Sequence, residues 1–155
     1  MGPGIGIVFP EWPPAQLAGL KESFARRADR FSDSPEPNGG QRWNLRLGRD
    51  ADAPEVVVTL GPNSTWQPDD EVALGWPPRG YAELHGFKHP DLALVVRTMA
   101  SLACEAAERL GGVVCLDGGG GYATAQEYTR LSEQPGFEVS GYPAAEPAAA
   151  RRRRA

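Results

Sequence analysis

One stretch constrains the fold more than any other: His89 to Asp117, which reads HPDLALVVRTMASLACEAAERLGGVVCLD. Leu92, Val95, Met99, Leu102, Ala106 and Leu110 recur at steps of three and four, the period of a helix with one apolar stripe. Leu94, Val96, Ala103 and Ala107 widen that stripe, so neighbours are expected on more than one side. Pro90 suits a first helical position, where its missing N–H costs nothing, and Asp91 favours the positive end of the helix dipole. Arg109 suits the last turn, and Gly111 supplies a left-handed stop. The spacing predicts a helix from about 90 to 110. Val113 to Leu116 then form a short apolar run closed by Asp117 and Gly118, which reads as a buried strand.

Before this unit lie several shorter segments. Ile5, Ile7, Val8 and Phe9 form a β-like run ended by Pro10. Leu17, Leu20, Phe24, Ala28 and Phe31 follow helical spacing, with Arg26, Arg27 and Arg30 largely off the stripe. Ser32 to Gly40 has the composition of a loop. Trp43, Leu45 and Leu47 alternate with polar residues as in a half-exposed strand, and Glu55 to Leu60 contains a β-branched run. The short acidic connection between them predicts an antiparallel hairpin. Val72 to Trp76 and Tyr81 to His85 read as further strands. After the glycines at 118–121, Tyr122 to Leu131 reads as a short helix, and Phe137, Val139 and Tyr142 as an edge segment. Strands gather in the middle and only two helices are long. The expected class is therefore α+β, with an antiparallel or mixed central sheet and two main helices packed on it.

A chain of 155 residues makes one domain with room for a core. Pro143 to Ala155 is Ala, Pro and Arg apart from Glu146, and such a composition cannot bury a core. The domain is thus expected over 1–142, followed by a disordered tail at 143–155. Four of the sixteen basic residues are Arg151 to Arg154; residues 1–150 then hold twelve basic against twenty acidic groups, a net charge of −8. An acidic body argues against nucleic-acid binding by the folded domain and suits a basic protein partner. It also serves solubility alone. The arginine tail suffices only for weak, salt-sensitive attachment to nucleic acid or an anionic membrane. No apolar run approaches the roughly 18 residues of a membrane span, and the N-terminus lacks the pattern of a signal peptide, so a cytoplasmic location is expected.

Candidate sites follow from the chemistry-bearing residues. Two Cys and two His fall short of a zinc set, and the acidic residues lack calcium-loop spacing, so no metal and no cofactor is expected. Cys104 and Cys115 read as core residues. Asp50, Asp52, Glu55, Asp69, Asp70 and Glu71 place six carboxylates within a short span. With Trp66 and Trp76 they form a candidate partner-binding surface of aromatic anchors among charges; the tryptophans equally suit covering one end of a sheet. His85, His89, Asp91 and Asp117, with the loop Gly118 to Gly121, form an alternative pocket for acid–base chemistry or a small ligand. No nucleophile elbow accompanies them, and the glycine loop lacks a Lys-Ser/Thr pair for phosphate.

The segment Leu102 to Gly118, LACEAAERLGGVVCLDG, preceded by the turn His85 to Asp91, resembles a small actinobacterial-type domain family of unknown function. That family shows a histidine-and-acid turn, a helix ending in ALAERLGG, and a strand such as VVDFGG. It is similar to the immunity partners of polymorphic bacterial toxins. Here Cys115-Leu116-Asp117 replaces Asp-Phe-Gly, and no catalytic residue carries over. The resemblance implies a non-enzymatic, immunity-type domain that binds and neutralises a basic protein such as a toxin.

Overall fold

The computed structural model describes residues 2–87 and 91–146. Seven strands form one sheet: β1 (Gly4–Phe9), β2 (Arg30–Pro35), β3 (Gln41–Arg46), β4 (Glu55–Pro62), β5 (Gly80–Gly86), β6 (Val113–Cys115) and β7 (Tyr122–Ala123). Their order is β2-β3-β4-β5-β1-β6-β7, and every neighbouring pair is antiparallel. Helices α1 (Leu17–Arg27), α2 (Pro68–Leu74), α3 (Leu92–Leu110) and α4 (Ala125–Ser132) interrupt the strands, and β8 (Glu138–Val139) and β9 (Tyr142–Pro143) form a separate hairpin. The fold is α+β.

α3 is the centre of the packing. Asp91 caps it by accepting the Leu94 N–H at 3.2 Å, one position after the proline expected to open the helix. Gly111 ends it at φ 67°. The predicted stripe is buried from Val95 to Leu110; of the residues expected to widen it, Val96, Ala103 and Ala107 are buried, with Ala100 beside them, while Leu94 is exposed. The wider face is needed because α3 lies on β1 and β5 while α1 and α4 pack against its sides. β5 and β6 run parallel with β1 between them, so α3 is the crossover that splits the pair. Gly112 makes the descent possible: a Cβ there would stand 2.2 Å from the Val8 carbonyl oxygen.

Period two sorts the sheet into two faces. Ile5, Ile7 and Phe9, Trp43 and Leu45, Val56, Val58 and Leu60, Ala82 and Leu84, and Val114 point to the helices and are buried. α1 contributes Leu20 and Phe24, and the Phe24 ring meets Trp43 edge-on at 5.9 Å.

Several expectations change. α1 stops at Arg27 because the chain is captured by the sheet: the Asp29 N–H bonds the Arg46 carbonyl at 2.8 Å, and Phe31 belongs to β2. The segment expected as a loop from Ser32 is a strand as far as Pro35, an edge strand with little to bury. Val72 to Trp76, expected as a strand, lies in α2 and the turn after it. Pro68 starts that helix, its first turn is Asp69-Asp70-Glu71, and Gly75 at φ 81° stops it. α4 is preceded by β7, with Thr124 and Glu127 capping each other's backbone N–H groups. The ordered chain also passes the expected boundary at 142. Pro143 pairs in β9, and the Ala145 N–H bonds the Ala93 carbonyl at 2.8 Å. Arg151 to Arg154 lie outside the described residues.

Candidate functional site

α2 is an unusual helix because none of its seven residues is buried. It is held at its N-terminus. Asp70 accepts the Gln67 N–H on Oδ2 at 3.1 Å and the Tyr122 hydroxyl on Oδ1 at 2.9 Å. The first bond satisfies an orphan N–H at the helix start; the second ties α2 to β7 at the far edge of the sheet. The Trp66 indole donates to Glu71 at 3.1 Å. Trp66 and Trp76 are both half-buried. Asp69 and Glu71 face outward, and Val72 is 83% exposed. The helix thus presents an apolar side chain beside two carboxylates.

The sheet face away from the helices carries a polar row in register: Arg42, Thr59, Glu83, Gly6, Cys115 and Tyr122. Gly6 leaves a dip in that row, flanked by Tyr81 and Cys115: a Cβ on it would lie 3.5 Å from the Tyr81 hydroxyl and 3.6 Å from the Cys115 sulfur. Glu83 accepts the Tyr81 hydroxyl at 3.0 Å and meets His85 Nε2 at 2.8 Å. Burial and the Glu83 charge push the Tyr81 phenol well up. Burial, and then the Asp70 charge, push the Cys115 thiol up to about 11. Burial and the bond to Asp70 raise Tyr122 to about 12. At neutral pH these groups are therefore neutral donors, and Cys115 is a poor nucleophile.

The other acidic group lies elsewhere. Asp50, Asp52 and Glu55 are exposed in and beside the β3–β4 turn, which Arg46 braces by donating to the Ala51 carbonyl. This turn precedes β4 and α2 follows it. The eight residues of β4 therefore separate the two acidic groups by about 26 Å of strand. The six carboxylates grouped in sequence do not form one cluster in space.

The alternative pocket also divides. His85 is on the polar face of β5 with Glu83. His89 lies outside the described residues, and Asp91 is spent on the α3 cap. Asp117 lies two residues past the end of β6, and its Oδ2 accepts the Ser140 N–H at 2.8 Å. Gly118 to Gly121 make the β6–β7 turn, closed by Leu116 N–H to Gly121 carbonyl at 2.9 Å; a strand, not a helix N-terminus, follows it. Asp117 does line a cavity of about 310 Å³, with Gly4 and Cys115 on the sheet side and Tyr128, Leu131 and Phe137 opposite; His85 is not among its walls.

Sequence reading missed Tyr122 and Ser140. Tyr122 is legible only through its register with Cys115. Ser140, at φ 52° in the β8–β9 turn, bonds both polar backbone groups of Gly4 through its hydroxyl. It serves the edge of β1 beyond the point where β6 ends.

Among the described residues no group of three His, Cys, Asp or Glu is placed to hold a metal ion, and no helix is long and apolar enough to cross a membrane. No family model, no curated protein and no solved structure matches the chain.

Proposed function

We propose that this is a non-enzymatic protein-binding domain of the immunity type, and that α2 is the element that covers a basic partner such as a toxin. The observation that carries the reading is α2 itself. It is anchored at one end yet buries none of its own residues, and it presents Asp69 and Glu71 around an exposed Val72. A helix that contributes nothing to its own core makes most sense as one whose burial comes from outside. The charge of the body points the same way, since a negative surface steers a positive partner into contact. Trp66 and Trp76 flank the helix as aromatic anchors. The acidic turn at 50–55 is too far along the sheet to share a small contact with α2, so it adds long-range attraction and no direct contact.

Asp70 is excluded from the contact set because both its oxygens are committed within the fold. The test therefore reverses Asp69 and Glu71 to Lys and leaves Asp70 intact. Tagged wild-type and reversed proteins are used to capture partners from the native lysate at low salt, and bound species are quantified by mass spectrometry. The reading expects one stoichiometric basic protein, held by the wild type and lost on charge reversal or at high salt. It expects the purified pair to associate about tenfold more slowly after reversal. Equal capture by both proteins, or no protein captured by either, would overturn it.

A further inference from the structure

The 310 Å³ cavity at the Asp117 end of β6 is a second feature, independent of α2. Its size is at the lower limit for a small-molecule site. Ile5, Leu116, Leu131 and Phe137 supply apolar wall, with the Phe137 ring edge-on to Tyr128 at 5.7 Å. Tyr128 is 5% exposed, yet its hydroxyl has no hydrogen-bond partner among the described residues. A phenol oxygen without a protein partner must be served by solvent or by a ligand. That oxygen is not sealed in protein: among the described residues the one buried side-chain polar atom without a partner is Arg46 Nε. Tyr128 borders this cavity and not the groove between α3 and α4, so the cavity is the open space available to it.

Charge selects what enters. The ionised side chains on the wall are Asp117 and Glu138, both acidic. Ser140 occupies one oxygen of Asp117 and leaves the other free. Arg97 stacks on Phe137 at 5.8 Å, but its guanidinium donates to the carbonyls of Ala145 and Ser132 and is not on the cavity wall. The Arg97 charge reaches Tyr128 from behind the wall, but an anion in the cavity would border only negative side chains. A cation would meet a carboxylate, a phenol oxygen and aromatic surface.

We propose that this cavity binds a small organic cation, an ammonium group on a compact apolar body. The ammonium bonds the free Asp117 oxygen and the Tyr128 hydroxyl oxygen, while the body lies against Leu131 and Phe137. No covalent step is involved.

The test titrates the full chain with benzylamine, benzyl alcohol and benzoate, three probes with one body and different charge, followed by ¹H–¹⁵N NMR. Benzylamine is expected to shift the amides around Asp117, Tyr128 and Leu131, and benzoate to leave them unmoved. Asp117→Asn keeps an acceptor for the Ser140 N–H and is expected to weaken benzylamine about tenfold, the loss of one charge-assisted bond. Leu131→Trp fills the cavity from an exposed position and is expected to abolish binding with the remaining spectrum unchanged. If Asp117→Asn fails to fold, the three probes on the wild type still decide. Benzoate binding as well as benzylamine, or no site-specific shift with benzylamine up to about 10 mM, would overturn the proposal.

Discussion

Tyr122 donates its phenolic hydrogen to Asp70 at 2.9 Å, and this one bond joins the last strand of the sheet to a helix that precedes three of its strands. Because α2 buries none of its residues, its position depends on such polar ties more than on packing.

Replacing Tyr122 with Phe is expected to cost about 1 kcal/mol, the worth of one partly exposed hydrogen bond to a charged group. The larger effect is local: amide exchange in α2 should quicken while β4 and β5 keep their protection. The pH dependence has a definite sign. The folded phenol titrates at about 12 against an ordinary value of 10.0, raised first by burial and then by Asp70. The folded state therefore holds this proton more tightly, and the stabilisation is complete below pH 10. It is lost as pH rises from 10 to 12. Denaturant midpoints of wild type and Tyr122→Phe should differ by a constant amount below pH 10 and converge above it.

What the sequence made legible follows from periodicity. α3, β1, β3, β4, β5 and β6 all carry apolar residues at the period of their element, and all were readable. β2 was not, because an edge strand with only Phe31 to bury has no alternation to read. α2 misled because Val72, Ala73 and Leu74 resemble a strand fragment, while the real signal, Pro68 followed by three acidic residues, is a helix start. The six clustered carboxylates separated in space because β4 runs between them. The cavity at Asp117 draws its walls from both ends of the chain, a proximity no local pattern encodes.

The paired glycines after α3 have different duties, and their variants should separate them. Gly111 stands at φ 67° with open space around it, so Gly111→Ala is expected to cost about 1 kcal/mol through left-handed strain alone. Gly112 has no such φ but no space: an added Cβ meets the Val8 carbonyl oxygen at 2.2 Å and Phe9 Cβ at 2.8 Å. Gly112→Ala should cost about 3 kcal/mol, because the α3–β6 descent must move away from β1. Urea unfolding of the two variants orders them; equal costs would contradict the assignment.

Both thiols are predicted to be slow. Burial raises Cys104, with the Thr129 hydroxyl partly offsetting it, and burial with the Asp70 charge brings Cys115 to about 11. At pH 8 the Cys115 thiolate is then about a thousandth of the total, and alkylation should run roughly a hundredfold slower than for an unperturbed cysteine. Asp70→Asn should speed it modestly by removing the nearby charge. Iodoacetamide labelling followed by mass spectrometry reads both rates, and labelling of Cys115 as fast as in urea would contradict the prediction.

The last prediction concerns how the C-terminal segment is held. Arg97, on α3, donates to the Ala145 carbonyl at 2.7 Å and to the Ser132 carbonyl, and its guanidinium stacks on Phe137 at 5.8 Å. Burial lowers its pKa, but it remains a cation throughout the usable pH range. One side chain therefore fastens the end of α4, the ring before β8 and the strap after β9. Arg97→Met keeps much of the apolar stem and removes every donor. It should cost about 2 kcal/mol, since bonds from a charged group to carbonyls are worth more than neutral ones and the site is half-buried. The loss should be local, because Ala144 and Ala145 tie the same strap to Phe137 and Ala93 through their N–H groups. Exchange at those two amides is expected to quicken at least as much as global stability falls, with β1 and β5 amides following the global change only. Arg97→Lys should not rescue it: a single ammonium cannot span two carbonyls and stack on a ring. Rescue by Lys would mean that charge alone, without the planar fork, fastens the strap.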